Sequence, residues 1–165
     1  MAHIVKPPSP VLIDDERKKI FLAGSIEMGK ADEWQKRIET TLQDEDIIVY
    51  NPRRDDWDSS LKQDINEPQF AEQVNWEMDA LDDADVIAFY FQPETKSPIS
   101  LLELGLYADK ARTKTLIVCC PDGFWRKGNV DIVCQRYIIW STDSFNEFVK
   151  AIADTFNIPR KVVLL

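Results

Sequence analysis

Four stretches of this chain carry residue types and spacings that could do chemistry. The richest is SPISLLELGL, from Ser97 to Leu106, where Glu103 sits among Leu101, Leu102 and Leu104. A carboxylate with apolar neighbours is poorly hydrated when ionised, which suits a nucleophile. The hydroxyls of Ser97 and Ser100 precede it as candidate substrate ligands. Ser100-x-x-Glu103 also has the spacing of a capping box, in which Glu103 would bond the Ser100 backbone N–H. Spacing alone favours that cap. A second carboxylate source is QVNWEMD, where Glu77 and Asp79 stand beside Trp76. The ordinary reading of such acids is a solvated helix face. The third stretch is NPRRDDWD, residues 51–58. Arg53 and Arg54 can donate to an anion or to base edges, and Trp57 can stack on a flat ring. The alternative is a surface loop whose arginines pair with its own aspartates. The fourth is Ala23-Gly24-Ser25-Ile26, followed by Gly29, where a glycine lets the backbone approach a ligand and the next helix offers free N–H groups.

Positioning these groups requires a regular frame. Short apolar runs at Lys19–Ala23, Asp46–Tyr50, Asp85–Phe91, Lys114–Cys120 and Tyr137–Trp140 predict strands, the third of them central. Apolar residues at helical spacing predict helices over 30–42, from Pro68 onward, over 99–111 and over 143–156. Asp82, Asp83 and Asp85 read as a solvated acidic run, with Asp85 at the start of the strand. Strands alternating with helices predict one α/β domain: a flavodoxin-like, doubly wound, parallel five-stranded sheet with helices on both faces. Residues 1–18, with Pro7, Pro8 and Pro10, read as an extended arm and 19–165 as the domain. In such sheets ligands lie at the carboxyl ends of the strands, which selects the segments after Ala23, Tyr50 and Phe91. Arg53 to Glu67 is too long for a simple turn, as functional loops often are.

Composition narrows the classes. A length of 165 residues, 44% hydrophobic and 30% charged, fits one globular domain. No apolar run approaches the ~18 residues that span a membrane, and the start lacks a secretory apolar region, so a cytoplasmic protein is expected. Three cysteines, two of them adjacent, make a disulfide framework improbable, and a single histidine at position 3 argues against zinc. A net charge of −9 opposes binding of a nucleic acid polymer but not of one nucleotide.

Together these segments resemble the nucleoside 2-deoxyribosyltransferase family and its near relatives that hydrolyse deoxynucleoside monophosphates. The resemblance runs from Ile20 to about Ala111. It rests on FLAGSI (Phe21 to Ile26), on Trp76-Glu77 leading to Ala84-Asp85-Val86-Ile87, and on Leu102-Glu103-Leu104-Gly105. It implies that Glu103, rather than capping its helix, attacks the anomeric carbon of the sugar. It places the second carboxylate at Glu77, with Asp79 as the fallback. It lays Gly24, Ser25 and Ile26 along the sugar and any 5′-phosphate; Arg54, Trp57, Trp76, Asp79, Ser97 and Ser100, chosen from the residues themselves, complete the expected substrate-binding set. Relatives often have Tyr where this chain has Phe21, and that hydroxyl bonds the glutamate. Glu103 must then be oriented by Ser100 or by a partner subunit.

The implied reaction is a double displacement through a covalent glycosyl-Glu103, with Glu77 protonating the leaving base. Retaining glycosidases hold such carboxylates ~5–5.5 Å apart. The resemblance implies no metal or redox cofactor, a small nucleoside or nucleotide as partner, a place in nucleotide salvage, and a homodimer or larger assembly. Trp125, Tyr137 and Val162 to Leu165 are its candidate contact surfaces. Two other readings remain: hydrolysis of a deoxynucleoside monophosphate or an NAD-like dinucleotide, and a non-catalytic nucleotide-binding sensor. A phosphorylated receiver does not fit, because the central strand ends in Phe91-Gln92 rather than Asp.

Overall fold

In the computed structural model, which describes residues 1–26, 33–56, 58 and 60–158, the chain folds around one parallel sheet. Its strands are β1 (His3–Val5), β2 (Lys18–Gly24), β3 (Ile47–Tyr50), β4 (Val86–Tyr90), β5 (Thr115–Cys119) and β6 (Trp140–Thr142). The helices are α1 (Trp34–Leu42), α2 (Pro68–Asp83), α3 (Pro98–Tyr107), α4 (Lys127–Tyr137) and α5 (Phe145–Thr155), with a 3-10 turn over Ala108–Arg112. The strand order is β1-β3-β2-β4-β5-β6. Without β1 this is the flavodoxin-like arrangement, with its switch point between β2 and β4.

The sheet has six strands, not the five expected. The additional one comes from the arm, where His3 to Val5 pair in parallel with Ile48 to Tyr50. A three-residue edge strand before consecutive prolines has too little pattern to show in sequence; pairing with β3 creates it. The helix α4 was also not foreseen. Gly128, Asn129 and the β-branched Val130, Ile132 and Val133 give it weak intrinsic preference. It ends at a left-handed Ile138 (φ 57°), which moves the last strand from the expected 137–140 to 140–142.

Alternation along buried parallel strands separates the two faces. Phe21, Tyr50, Ile87, Phe89 and Val118 pack under α2, α3 and α4. Ile20, Leu22, Val49, Ala88 and Ile117 pack under α1 and α5. The adjacent Cys119 and Cys120 divide between the faces, and all three thiols are buried and unbridged. No helix among the described residues is long and apolar enough to cross a membrane.

The acidic run at the end of α2 is solvated at Asp82, as expected, but enclosed at Asp83. Asp83 lies 2.9 Å from the buried Lys19 ammonium and accepts the Tyr50 hydroxyl at 2.6 Å. Asp82 accepts the Tyr107 hydroxyl at 2.6 Å, and Asp85 accepts the Lys19 backbone N–H at 2.9 Å. These bonds fasten α2 to β2, β3 and α3 at the end of the sheet opposite the strand carboxyl termini.

At the carboxyl end of β2, Gly24 has φ 149°, and a Cβ there would lie 2.3 Å from the Tyr90 carbonyl oxygen. The glycine is required by the close approach of β2 and β4. Gly24→Ala is expected to cost about 3 kcal/mol or more, from backbone strain plus overlap. Urea denaturation checks this, and a loss under about 1 kcal/mol would show that β4 can yield.

Candidate active site

The inward face of α3 carries Ser100, Glu103, Leu104 and Tyr107, at helical spacing. Ser97 is the N-cap residue in a left-handed conformation, Pro98 opens the helix, and Ser100 lies inside it. A capping box from Ser100 to Glu103 is therefore impossible: the helix begins three residues too early. The Glu103 side chain is free to point inward, and it is only 6% exposed.

The helix α2 runs beside α3 and brings Glu77 to Glu103. Burial raises the Glu103 carboxyl well above its ordinary range, and the nearby charge of Glu77 raises it further. Burial also pushes Glu77 up to about 7, against a hydrogen bond from Gln73 that favours its ionised form. No hydrogen bond from another described residue reaches Glu103. With burial opposing the ionisation of both carboxyls and the charge of one opposing that of the other, they titrate as a pair near neutral pH. The arrangement can hold one proton and one negative charge between two glutamates, which acid-assisted nucleophilic chemistry needs.

This has a consequence for stability. The folded Glu77 binds its proton more tightly than the unfolded chain does. Its stabilising contribution is complete below pH 4.5 and is lost as the pH rises to about 7. Glu77→Gln is expected to be more stable than the parent by about 3 kcal/mol at pH 8, with the difference vanishing toward pH 4. Denaturation at several pH values measures it; a gap that does not depend on pH would refute the assignment.

Around the pair, the predicted residues fall into different environments. Arg54, after β3, lies under the α2 helix, bonding Asp56 at 3.1 Å and the Gln73 carbonyl at 3.5 Å. Its expected pairing with a loop aspartate thus coexists with a link to the carboxylates. Trp76 is a core residue: it packs on Phe21 and Tyr50, and its indole N–H donates to the Ser9 carbonyl at 2.7 Å. Asp79 is exposed, turned away from the pair by the helical period. Ser25 is fully buried, and its Oγ lies 2.6 Å from Ser97 Oγ and 2.8 Å from Thr95 Oγ1. It also accepts the Gln92 backbone N–H at 2.9 Å. This hydroxyl cluster ties the loop after β4 to the end of β2. Ile26 is half-buried beside it. The helix expected over 30–42 is described from Trp34 to Leu42, and the Trp34 indole donates to the Ser25 carbonyl at 3.1 Å. Gly29 and Trp57 lie outside the described residues.

The reading of sequence passed over Gln73 and Thr95. Gln73 had an available signal, because it precedes Glu77 by four residues and so shares its helix face. Thr95 had none, since only the chain path brings it to Ser25. A groove of about 320 Å³ lies on the other side of α3, lined by Leu101, Gly105, Trp125, Arg126, Val130 and Val133 among others. Neither carboxylate borders it.

Residues 17–124 match the family described as "Nucleoside 2-deoxyribosyltransferase like". A solved structure described as a conserved protein from Enterococcus faecalis V583 is similar in fold, with a TM-score of 0.55 and 16% identity over 84% of this chain and 99% of that one. No curated protein matches the chain.

Proposed function

Because the chain belongs to the nucleoside 2-deoxyribosyltransferase-like family, we propose that it cleaves or exchanges the N-glycosidic bond of a nucleoside or nucleotide through a covalent glycosyl-Glu103. The observation that carries this reading is the burial of Glu103 beside Glu77 on adjoining helices. In the first step the Glu103 carboxylate bonds the anomeric carbon as the bond to the base breaks, and Glu77 gives its proton to the leaving base. In the second, a new base or water takes the sugar and gives its proton to the Glu77 carboxylate, and Glu103 is released as a carboxylate. Partial exclusion of water strengthens the electrostatics of both steps.

Arg54 supports a substrate bearing an anionic group, since its guanidinium, already at the edge of the pair, can also meet a phosphate. Ser25 and Ser97 shape this edge through the loop they hold, and Ser100 lies one helical turn before Glu103. Phe21 offers no hydroxyl to Glu103, so the nucleophile depends on its packing for orientation. As in the resemblance noted above, the reading carries a cytoplasmic homodimer or larger assembly.

The test is the intact mass of the protein after incubation with a panel of nucleosides, deoxynucleosides and their monophosphates. A sugar-sized adduct that Glu103→Ala cannot form supports the proposal and identifies the sugar. An added acceptor base then separates transfer, which yields exchanged nucleoside, from hydrolysis, which yields free sugar. No adduct and no turnover across the panel would leave a binding protein.

A further inference from the structure

The amide of Gln73 sits between three groups that leave it one orientation. Its Nε2 lies 3.3 Å from the Pro52 carbonyl oxygen and 2.6 Å from Glu77 Oε1, and its Oε1 lies 3.5 Å from an Arg54 nitrogen. The Pro52 carbonyl can only accept and the guanidinium can only donate. Turning the amide over would set its oxygen against the Pro52 oxygen and the Glu77 carboxylate, and its NH2 against the guanidinium. Arg54 is itself held by Asp56 at 3.1 Å. Gln73 is 5% exposed, so water does not compete for these bonds.

Glu103 has no comparable donor among the described residues. The Tyr107 hydroxyl, on the same face of α3, is committed to Asp82 at 2.6 Å, and Phe21 has none. Among the described residues, the charged and titratable groups linked to the pair are Arg54, which meets Gln73 and is held by Asp56, and Tyr107 on α3, which feels the charge of Glu103. Among the described residues, only Gln73 donates a hydrogen bond to one of the two carboxylates.

We propose that Gln73 is a positioning residue: locked by Pro52 and Arg54, it presents its N–H to Glu77 and makes Glu77 the ionised member of the pair, so that in the free protein their shared proton rests on Glu103. This deepens the reading of the two glutamates as the reacting pair and rests on it for its role in catalysis. It adds a step before chemistry. The proton must pass from a Glu103 carboxyl oxygen to a Glu77 carboxylate oxygen, which creates the nucleophile and the acid together, with no other bond changed. Gln73 controls how readily that transfer occurs.

The experiment is a pH titration of the glutamate carboxyl carbons by NMR on 13C-labelled protein without substrate, with Glu77→Gln and Glu103→Gln assigning the two signals. In the parent, Glu77 is expected to ionise at lower pH than Glu103. In Gln73→Leu, of similar size and without the donor, the Glu77 midpoint rises by about one pH unit or more. In Arg54→Met, which removes one of the two contacts that lock the amide, it rises by a smaller amount. A Glu77 midpoint unmoved in both variants, or Glu103 ionising first in the parent, overturns the proposal. Should Gln73→Leu fail to fold, Arg54→Met carries the test alone. The shift appearing in a protein that turns over no nucleoside supports the positioning and counts separately against the glycosidic function.

Discussion

Glu103→Gln is expected to lower turnover by at least about 10³-fold while making the protein more stable. The two effects have one cause. The carboxylate is buried, with the Glu77 charge nearby and no donor among the described residues, so its ionised form is a strained guest in the fold. An amide of the same shape removes the cost of burying an ionisable carboxyl and with it the nucleophile, because its nitrogen and oxygen do not displace a base from a sugar. Removing a destabilised catalytic group commonly gains roughly 0.5–2 kcal/mol, a rise of several degrees in Tm for a chain of this size. Thermal unfolding and initial rates on the same preparations measure both. A variant that keeps most of its activity would dismiss Glu103 as nucleophile. One that loses activity and stability together would instead mean that the glutamate holds the fold.

The second large effect lies at the other end of the sheet. Lys19→Met is expected to destabilise the protein by about 3–5 kcal/mol, because it leaves Asp83 buried without its cation. Both side chains are almost enclosed, 7% and 12% exposed, with nitrogen and oxygen 2.9 Å apart. The Tyr50 hydroxyl would still reach Asp83, and the Lys19 bond to the Ile13 carbonyl would be lost with the ammonium. A neutral hydroxyl cannot balance a buried carboxylate alone. Replacing both members, as Lys19→Met with Asp83→Leu, should recover much of the loss. Urea denaturation of the single and double variants decides the matter. A single-variant loss below about 1 kcal/mol would show that water reaches Asp83. Since Lys19 is the second residue of β2 and the carboxylate pair lies toward the other end, activity well below the melting transition should be nearly unchanged.

These two predictions divide along what could be read directly from residues. The parallel α/β frame, its central strand, and the candidacy of Glu103 and Glu77 were legible because they rest on local signals. A fully buried strand must be a continuous apolar run, and Val86–Tyr90 is one. A helix following it places residues near the ligand edge whatever the rest of the chain does. The resemblance at LELG then chose catalysis over capping, and the helix start at Pro98 shows physically why the cap cannot form.

What the residues could not disclose were pairings between distant segments. The edge strand β1 exists through its bonds to β3, and α4 through packing rather than propensity. Asp83 looks like one more surface acid until Lys19, 64 positions away, closes on it. Trp76 looks like part of the substrate-binding set until Phe21, Tyr50 and Ser9 enclose it. Composition and periodicity, being local, determined the class of fold and which carboxylates to consider. Tertiary structure decided which of them are dry, which are paired, and where a proton can rest, because desolvation and charge coupling depend on neighbours in space rather than along the chain.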